Sequence, residues 1–328
     1  MALVATPGEK KLNPAKKLYR SIFNQETRRK TIWLLFLFPA LAVYLVFMAA
    51  PLIDSLRLSL YTGVGLTPTK FVGLQNFIDL FTNPLWRGLF FGAVLHTCEF
   101  FAIHMTVQNT LGLLFAALLV SSFRGRDTFR AIIFAPATFS VLVVGFLWTL
   151  ILNPSWGAVD IILNKIGLSS WALPWLGDAR VALPVISLTS AWQWVGMPTM
   201  MFLAGLVGVP EELVEAARVD GASEWTAFWK IKFPLLMPVV GIVAVITFVD
   251  NFNAFDVIFA MAGVRGTPNY STDLLATLFY RVGIAGEQPS GLPNMGIGAA
   301  IATMIFLILM IGVSLWLFVF RRQTPSQV

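Results

Sequence analysis

Pro210-Glu-Glu-Leu-Val-Glu-Ala-Ala-Arg-Val-Asp-Gly-Ala-Ser-Glu-Trp-Thr-Ala-Phe-Trp-Lys-Ile-Lys-Phe-Pro234 is a charged stretch set between two long apolar blocks. Pro210 suits the first helical position, where its missing N–H has no intrahelical partner to lose. Glu211 and Glu212 then fall in the first turn, where the helix dipole favours negative charge. Gly221 breaks this helix, and a second short amphipathic helix runs toward Pro234, where the next apolar block begins. The expectation is a helix–glycine–helix hairpin. Ala216 and Ala217 give it a small-residue face that another protein can approach closely.

The sequence on either side says what the hairpin is mounted on. Of the 328 residues, 57% are apolar and 12% charged, against roughly 25% charged in a soluble domain. The missing charge vanishes from six blocks long enough to span a bilayer, which takes about 20 residues each. These are Ile32–Ile53, Gly88–Val120, Ala131–Leu152, Val181–Val207, Leu235–Ala262 and Met295–Phe320. The second is long enough to tilt strongly or to project from the bilayer. Pro39, Pro136 and Pro198 mark kinks that a helix bundle tolerates, because neighbouring helices satisfy the freed backbone groups. The first block exceeds the roughly 7–15 apolar residues of a signal peptide, so it reads as a retained helix.

Lys and Arg counts orient the spans. With the N-terminus inside, the inner segments hold Lys10, Lys11, Lys16, Lys17, Arg20, Arg28, Arg29, Lys30, Arg124, Arg126, Arg130, Arg218, Lys230, Lys232, Arg321 and Arg322. The outer segments hold Arg57, Lys70, Arg87, Lys165, Arg180, Arg265 and Arg281. Sixteen against seven of the 23 is a positive-inside bias that puts both termini and the hairpin in the cytoplasm. The net charge of +6 therefore speaks of membrane orientation, not of nucleic acid. Pro14–Phe23 reads either as an interfacial amphipathic helix or as a disordered basic signal.

Candidate chemistry is sparse. Cys98 is the single cysteine, which excludes an internal disulfide and a cysteine-rich metal site, and its apolar setting reads as packing. No Ser/His/Asp arrangement or zinc spacing is recognisable, and no G-x-x-x-x-G-K-[ST] occurs. His96 and Glu99, and His104 and Gln108, are helical neighbours in the second block and read as satisfied pairs. In the fifth block Thr247, Asp250, Asn251, Asn253 and Asp256 form a polar run. Thr247 and Asn251 share one face, as do Asp250 and Asn253, and such groups in a span usually face a bundle interior or a water-filled path.

The hairpin also carries a resemblance. Glu215-Ala216-Ala217, Gly221 and Ile231-x-Phe233-Pro234 meet the spacing EAA-x3-G-x9-I-x-L-P, with Phe233 where leucine is usual. On these residues the chain resembles the permease subunits of binding-protein-dependent ABC importers, and Asp220 before the glycine resembles their carbohydrate-importing branch. Phe123-Arg-Gly-Arg-x-x-Phe-Arg130 with Pro136, Trp194-x-Gly196-x-Pro198 with Met200-Met201, and Asn251-Phe-Asn253-x-Phe255 extend the likeness. So do Tyr270-Ser-Thr-Asp273, Phe279-Tyr280-Arg281 and Gly298-Ala-Ala-Ile-Ala-Thr303. Roughly residues 30 to 322 are covered. The pattern is nearer the shorter six-span sugar and glycerol-phosphate permeases than the maltose permease itself.

The resemblance implies an all-α polytopic membrane protein. A basic tail (1–30) would precede a six-span permease domain (31–322) with a cytoplasmic coupling hairpin, followed by a short tail (323–328). Glu215, Ala216, Ala217, Asp220 and Gly221 would dock in a cleft of an ATPase subunit, with Glu215 meeting an arginine there. It implies a multi-pass protein of the bacterial inner membrane, partnered by a second homologous permease, two ABC ATPases and a periplasmic or extracellular solute-binding protein. ATP and Mg would belong to the ATPase, with no cofactor in this chain. Carried over by position, Trp192, Val195, Gly196, Thr199, Thr247, Asp250, Asn251 and Ala254 would line the sugar path. Trp192, Thr199, Asp250 and Ala254 differ from the maltose pattern. The cargo would be a sugar or oligosaccharide, acidic ones included although no buried arginine argues for them, with a glycerol-phosphate or polyol as the alternative. An ion-coupled secondary transporter using Asp250 or the histidines explains the spans but not the hairpin.

Overall fold

The computed structural model describes residues 25–63, 67–287 and 291–323. The Pro14–Phe23 stretch and the tail beyond Gln323 lie outside the described residues. The fold is predominantly helical, with one short antiparallel pair, β1 (Tyr61–Thr62) and β2 (Lys70–Phe71). The chain divides into two units, Met1–Ser55 and Leu56–Val328. Helix α1 (Ile32–Leu58) has 27 residues and is long and apolar enough to cross a membrane.

The larger unit continues with α2 (Gln75–Thr82), α3 (Pro84–Val120), α4 (Arg126–Phe134), α5 (Val141–Ile151) and α6 (Ala158–Lys165). Then come α7 (Ala182–Trp194), α8 (Gly196–Val207), α9 (Glu211–Val219), α10 (Glu224–Phe252), α11 (Asp256–Ala262), α12 (Leu275–Ala285) and α13 (Met295–Gln323). Among the described residues, α1, α3, α10 and α13 are long and apolar enough to cross a membrane. A fifth crossing arises if α4 and α5, bent by 96°, form one broken span.

Helix α3 is the spine. Asn83 caps it, its side chain accepting from the Leu85 N–H at 3.0 Å, and its 37 residues extend about 55 Å at 1.5 Å per residue. All three apolar cores use it. Phe90 and Ala93 pack with Leu275, Leu278 and Ile301, Phe100 packs with Ile186 and Ile258, and Ala116 and Leu119 pack with Phe202 and Leu236. Close approach is set by glycines. A Cβ on Gly112 would lie 3.1 Å from the Pro198 ring, and one on Gly298 would lie 2.5 Å from the Gly283 Cα. Cys98, expected to be packed, is exposed, because Ala93, Thr97 and Phe100 occupy the face that α3 turns inward.

Three apolar blocks are divided by their polar and proline residues. Block 131–152 turns at Pro136, inside a 3-10 turn (Ala135–Thr138), and at Phe139 and Ser140, whose extended backbone restarts the helix. Block 181–207 is two helices meeting at Val195. Pro198 has no N–H to offer the Trp194 carbonyl four residues back and crowds it sterically. Block 235–262 ends as a helix at Phe252, capped by Asn253, and resumes at Asp256. The run of Asp and Asn favours a helix end over a helix interior.

The 210–234 segment forms the hairpin with two differences. Pro210 is the N-cap, with the helix starting at Glu211. The second helix is not separate but runs into the long apolar helix through a π turn at Phe228–Lys232, directly ahead of Pro234. A wider turn there accommodates a proline that cannot close an ordinary i→i−4 bond. Between the helices Ala222 N–H bonds Ala217 O at 2.8 Å and Gly221 N–H bonds Arg218 O at 3.0 Å, a Schellman closure. Gly221 has φ +80°, which glycine adopts without steric penalty. Ser223 caps the second helix at the Thr226 N–H, and Arg218 Nε to Glu224 Oε1 at 2.7 Å ties the two helices together.

Candidate functional site

A cavity of about 490 Å³ opens where α3, α7, α8, α10 and α11 converge. The middle of α3 supplies Phe100, His104 and Gln108, and α7 supplies Ser190 and Trp194. The end of α10 and the start of α11 supply Thr247, Asp250, Asn251, Asn253, Ala254, Phe255 and Asp256. The cavity exists because each neighbouring helix is interrupted at this level. Helix α3 widens into a π turn at His104–Gln108, α7 gives way to α8 at Val195, and α10 ends at Phe252.

Its polar groups are held by one another and by backbone. Gln108 Nε2 donates to Trp194 O at 3.3 Å, occupying the carbonyl that Pro198 leaves free. His104 Nδ1 donates to Phe100 O at 2.8 Å, and its Nε2 hydrogen-bonds Ser190 Oγ at 3.2 Å. Asn109 Nδ2 donates to Thr247 Oγ1 at 3.1 Å, and Thr247 Oγ1 donates to Val243 O at 2.8 Å. Asn251 Nδ2 donates to Thr247 O at 2.6 Å. Two buried oxygens on this wall, Gln108 Oε1 and Asn251 Oδ1, have no partner among the described residues.

Of the residues carried over as a sugar path, Thr247, Asp250, Asn251 and Ala254 line the cavity. Trp192, Val195, Gly196 and Thr199 are not on its wall. Trp192 is exposed and meets Trp148 edge-on at 5.6 Å between ring centroids. Val195 is buried, Gly196 abuts the Ile133 and Phe134 backbone, and Thr199 Oγ1 donates to Val195 O at 2.7 Å. Val195, Gly196 and Thr199 stand at the α7–α8 break that frames the cavity, and Trp192 lies ahead of it on α7. His96 and His104 are satisfied, but not by the expected partners Glu99 and Gln108. His96 bonds the Asp273 carbonyl at 3.1 Å, while Glu99 is exposed.

A second polar cluster lies apart from the cavity wall. Arg281, fully buried, pairs with Asp273 at 2.6 Å. Thr277 Oγ1 donates to Asp273 Oδ1 at 2.7 Å, and Arg281 Nη1 donates to Glu287 O at 3.1 Å. The Arg281 guanidinium also stands 4.3 Å from the Tyr270 ring centroid. The expectation of no buried arginine is thus corrected, although this one is neutralised by Asp273. Spacing gave no sign of it, because eight residues and a helix start separate the partners.

The hairpin is the other candidate surface. Glu215, Ala216, Asp220 and Gly221 are exposed, Ala217 is half-buried, and Val214 anchors α9. Val219 is 87% and Trp225 73% exposed, so the hairpin presents apolar side chains beside its charged ones.

Residues 108–324 match the model of a family described as binding-protein-dependent transport system inner membrane component. The chain is similar to the trehalose/maltose transport system permease protein MalF of Thermococcus litoralis, 32% identical over 286 residues, covering 86% of this chain and 91% of that one. It is likewise similar to the multiple sugar-binding transport system permease protein MsmF of Streptococcus mutans, 32% identical over 275 residues, covering 84% and 90%. Among solved structures, a bacterial ABC transporter involved in import of the acidic polysaccharide alginate superposes with a TM-score of 0.78. The identity is 21%, over 94% of this chain and 100% of that chain, a likeness of fold.

Proposed function

The chain belongs to the family of binding-protein-dependent transport system inner membrane components, and from this premise we propose that it is the permease subunit of an ATP-driven sugar importer. The observation that carries the reading is the exposed hairpin at the start of α10 together with a helix-lined, partly polar cavity at its other end. The hairpin offers a rigid contact to a partner, and the cavity offers a path for a polar solute. The subunit itself catalyses no reaction.

In this account the bent α4–α5 pair and the broken α7–α8 pair each complete one crossing, giving six spans with both termini and the hairpin in the cytoplasm. Glu215, Ala216, Ala217, Asp220 and Gly221 dock on an ABC ATPase, which holds the ATP and Mg. Two ATPases, a second homologous permease and an external solute-binding protein complete the assembly. Closure of the ATPase pair moves the hairpins, and the tie from Arg218 to Glu224 carries that motion into α10. Because α10 runs unbroken from Glu224 to Phe252, displacement at the hairpin reaches Thr247, Asp250 and Asn251 on the cavity wall. The sugar's hydroxyls meet these polar groups, and its apolar face meets Phe100 and Trp194.

The test is a complex purified through this chain. An ATPase and a distinct second permease should co-purify, and Glu215→Lys should abolish solute-stimulated ATP hydrolysis while membrane insertion persists. Gly221→Val, strained by its positive φ, should act likewise. A transport-active homo-oligomer without an ATPase would overturn the proposal.

A further inference from the structure

We infer that the cavity selects hydroxyl-rich, uncharged cargo and rejects anionic cargo. This deepens the reading of the cavity as the transport path and rests on it. Two independent observations lead there. First, the orphaned atoms of the wall are both acceptors. Gln108 Oε1 and Asn251 Oδ1 have no partner among the described residues, on residues only 7% and 5% exposed. A buried polar atom left unpaired is costly, so the solute that completes this wall brings O–H or N–H donors. A sugar hydroxyl does so; a carboxylate or phosphate oxygen cannot.

Second, the fixed charges of the wall have one sign. Asp250 and Asp256 line it, and among the described residues no Lys or Arg does. Neither carboxylate is ion-paired among the described residues. A cleft with charge of one sign and low-dielectric walls concentrates its field on whatever enters. The buried Arg281 does not offset it, since it is off the wall and held by Asp273. A uronate oligomer or a sugar phosphate would therefore bring hydroxyls that these acceptors can take, but also anionic groups that must face the two carboxylates. The fold shared with the alginate importer does not bring that protein's cargo charge with it.

The field can be read without knowing the solute. In the assembled complex, with Cys98→Ser and Ala254→Cys, modification rates are measured with a cationic and an anionic methanethiosulfonate of matched size. Each rate is divided by that for a free thiol in solution. The cationic reagent should react at least about tenfold faster, as field focusing in a charged cleft allows, and Asp250→Asn with Asp256→Asn should remove most of that preference. If the double variant fails to assemble, Asp256→Asn alone should lower the preference part-way. Equal rates, faster anionic reaction, or a preference insensitive to the Asp substitutions would overturn charge selection and leave the proposed function standing. No reaction with either reagent would take the cavity out of the path and overturn both.

Discussion

The Gln108 side chain donates to the Trp194 carbonyl at 3.3 Å, the group that Pro198, four residues on, cannot bond. One helix thus repairs the break in another, and the repair sits on the cavity wall. Gln108→Leu should lower complex stability by about 0.6–2 kcal/mol, the range for interhelical hydrogen bonds in membranes. Pro198→Ala restores the missing N–H, so the loss should shrink in that background. Thermal unfolding of the four proteins of this cycle checks it. Equal losses in both backgrounds would show that the Trp194 carbonyl does not need Gln108.

The hairpin tie is pH-sensitive in a defined direction. The hydrogen bond from Arg218 holds the Glu224 carboxyl below its ordinary pKa. A carboxyl lowered in the folded state contributes fully above its unfolded pKa, about 4.3, and loses that contribution as pH falls through the lowered value. Hydrogen-exchange protection of the 218–222 turn, relative to Glu224→Gln, should be highest at neutral pH and converge with the variant in acid. A constant difference down to strongly acidic pH would contradict the tie. Because both side chains are exposed, the effect should be local to the turn.

Asp273 and Arg281 make the opposite case, a fully buried pair. Arg281→Met leaves a buried carboxylate without its cation and should destabilise by about 3–5 kcal/mol. Asp273→Leu added to it removes the orphan, and most of the stability should return. Thermal unfolding of the single and double variants decides between charge pairing and simple packing, since packing loss would accumulate in the double variant.

What the sequence made legible was local. The helix break at Gly221 and the polar run from Thr247 to Asp256 follow from neighbours a few residues apart. Pro136 marked a kink, but the break at Asn253 was harder, because apolar composition alone does not distinguish a straight span from a bent one. The contributions of Gln108 and Ser190 to the cavity were not readable at all. Gln108 lies 86 residues from the carbonyl it serves, and nothing in one sequence pairs the two. Trp192, Val195, Gly196 and Thr199 came through resemblance to a homologous site, whereas here they lie off the wall instead of forming it.

The central claim is that this cavity carries the solute, and Asn251 tests it most directly. Its Oδ1 is unpartnered among the described residues and its residue lines the wall, while its Nδ2 is tied only to its own helix. Asn251→Leu is therefore assayed in the complete importer in vesicles, with solute uptake, basal ATPase and subunit association measured on one preparation. The account predicts uptake reduced at least about tenfold, the factor for roughly 1.4 kcal/mol of lost interaction, with basal ATPase and association unchanged. Uptake at the parental rate, or loss of assembly along with transport, would contradict it.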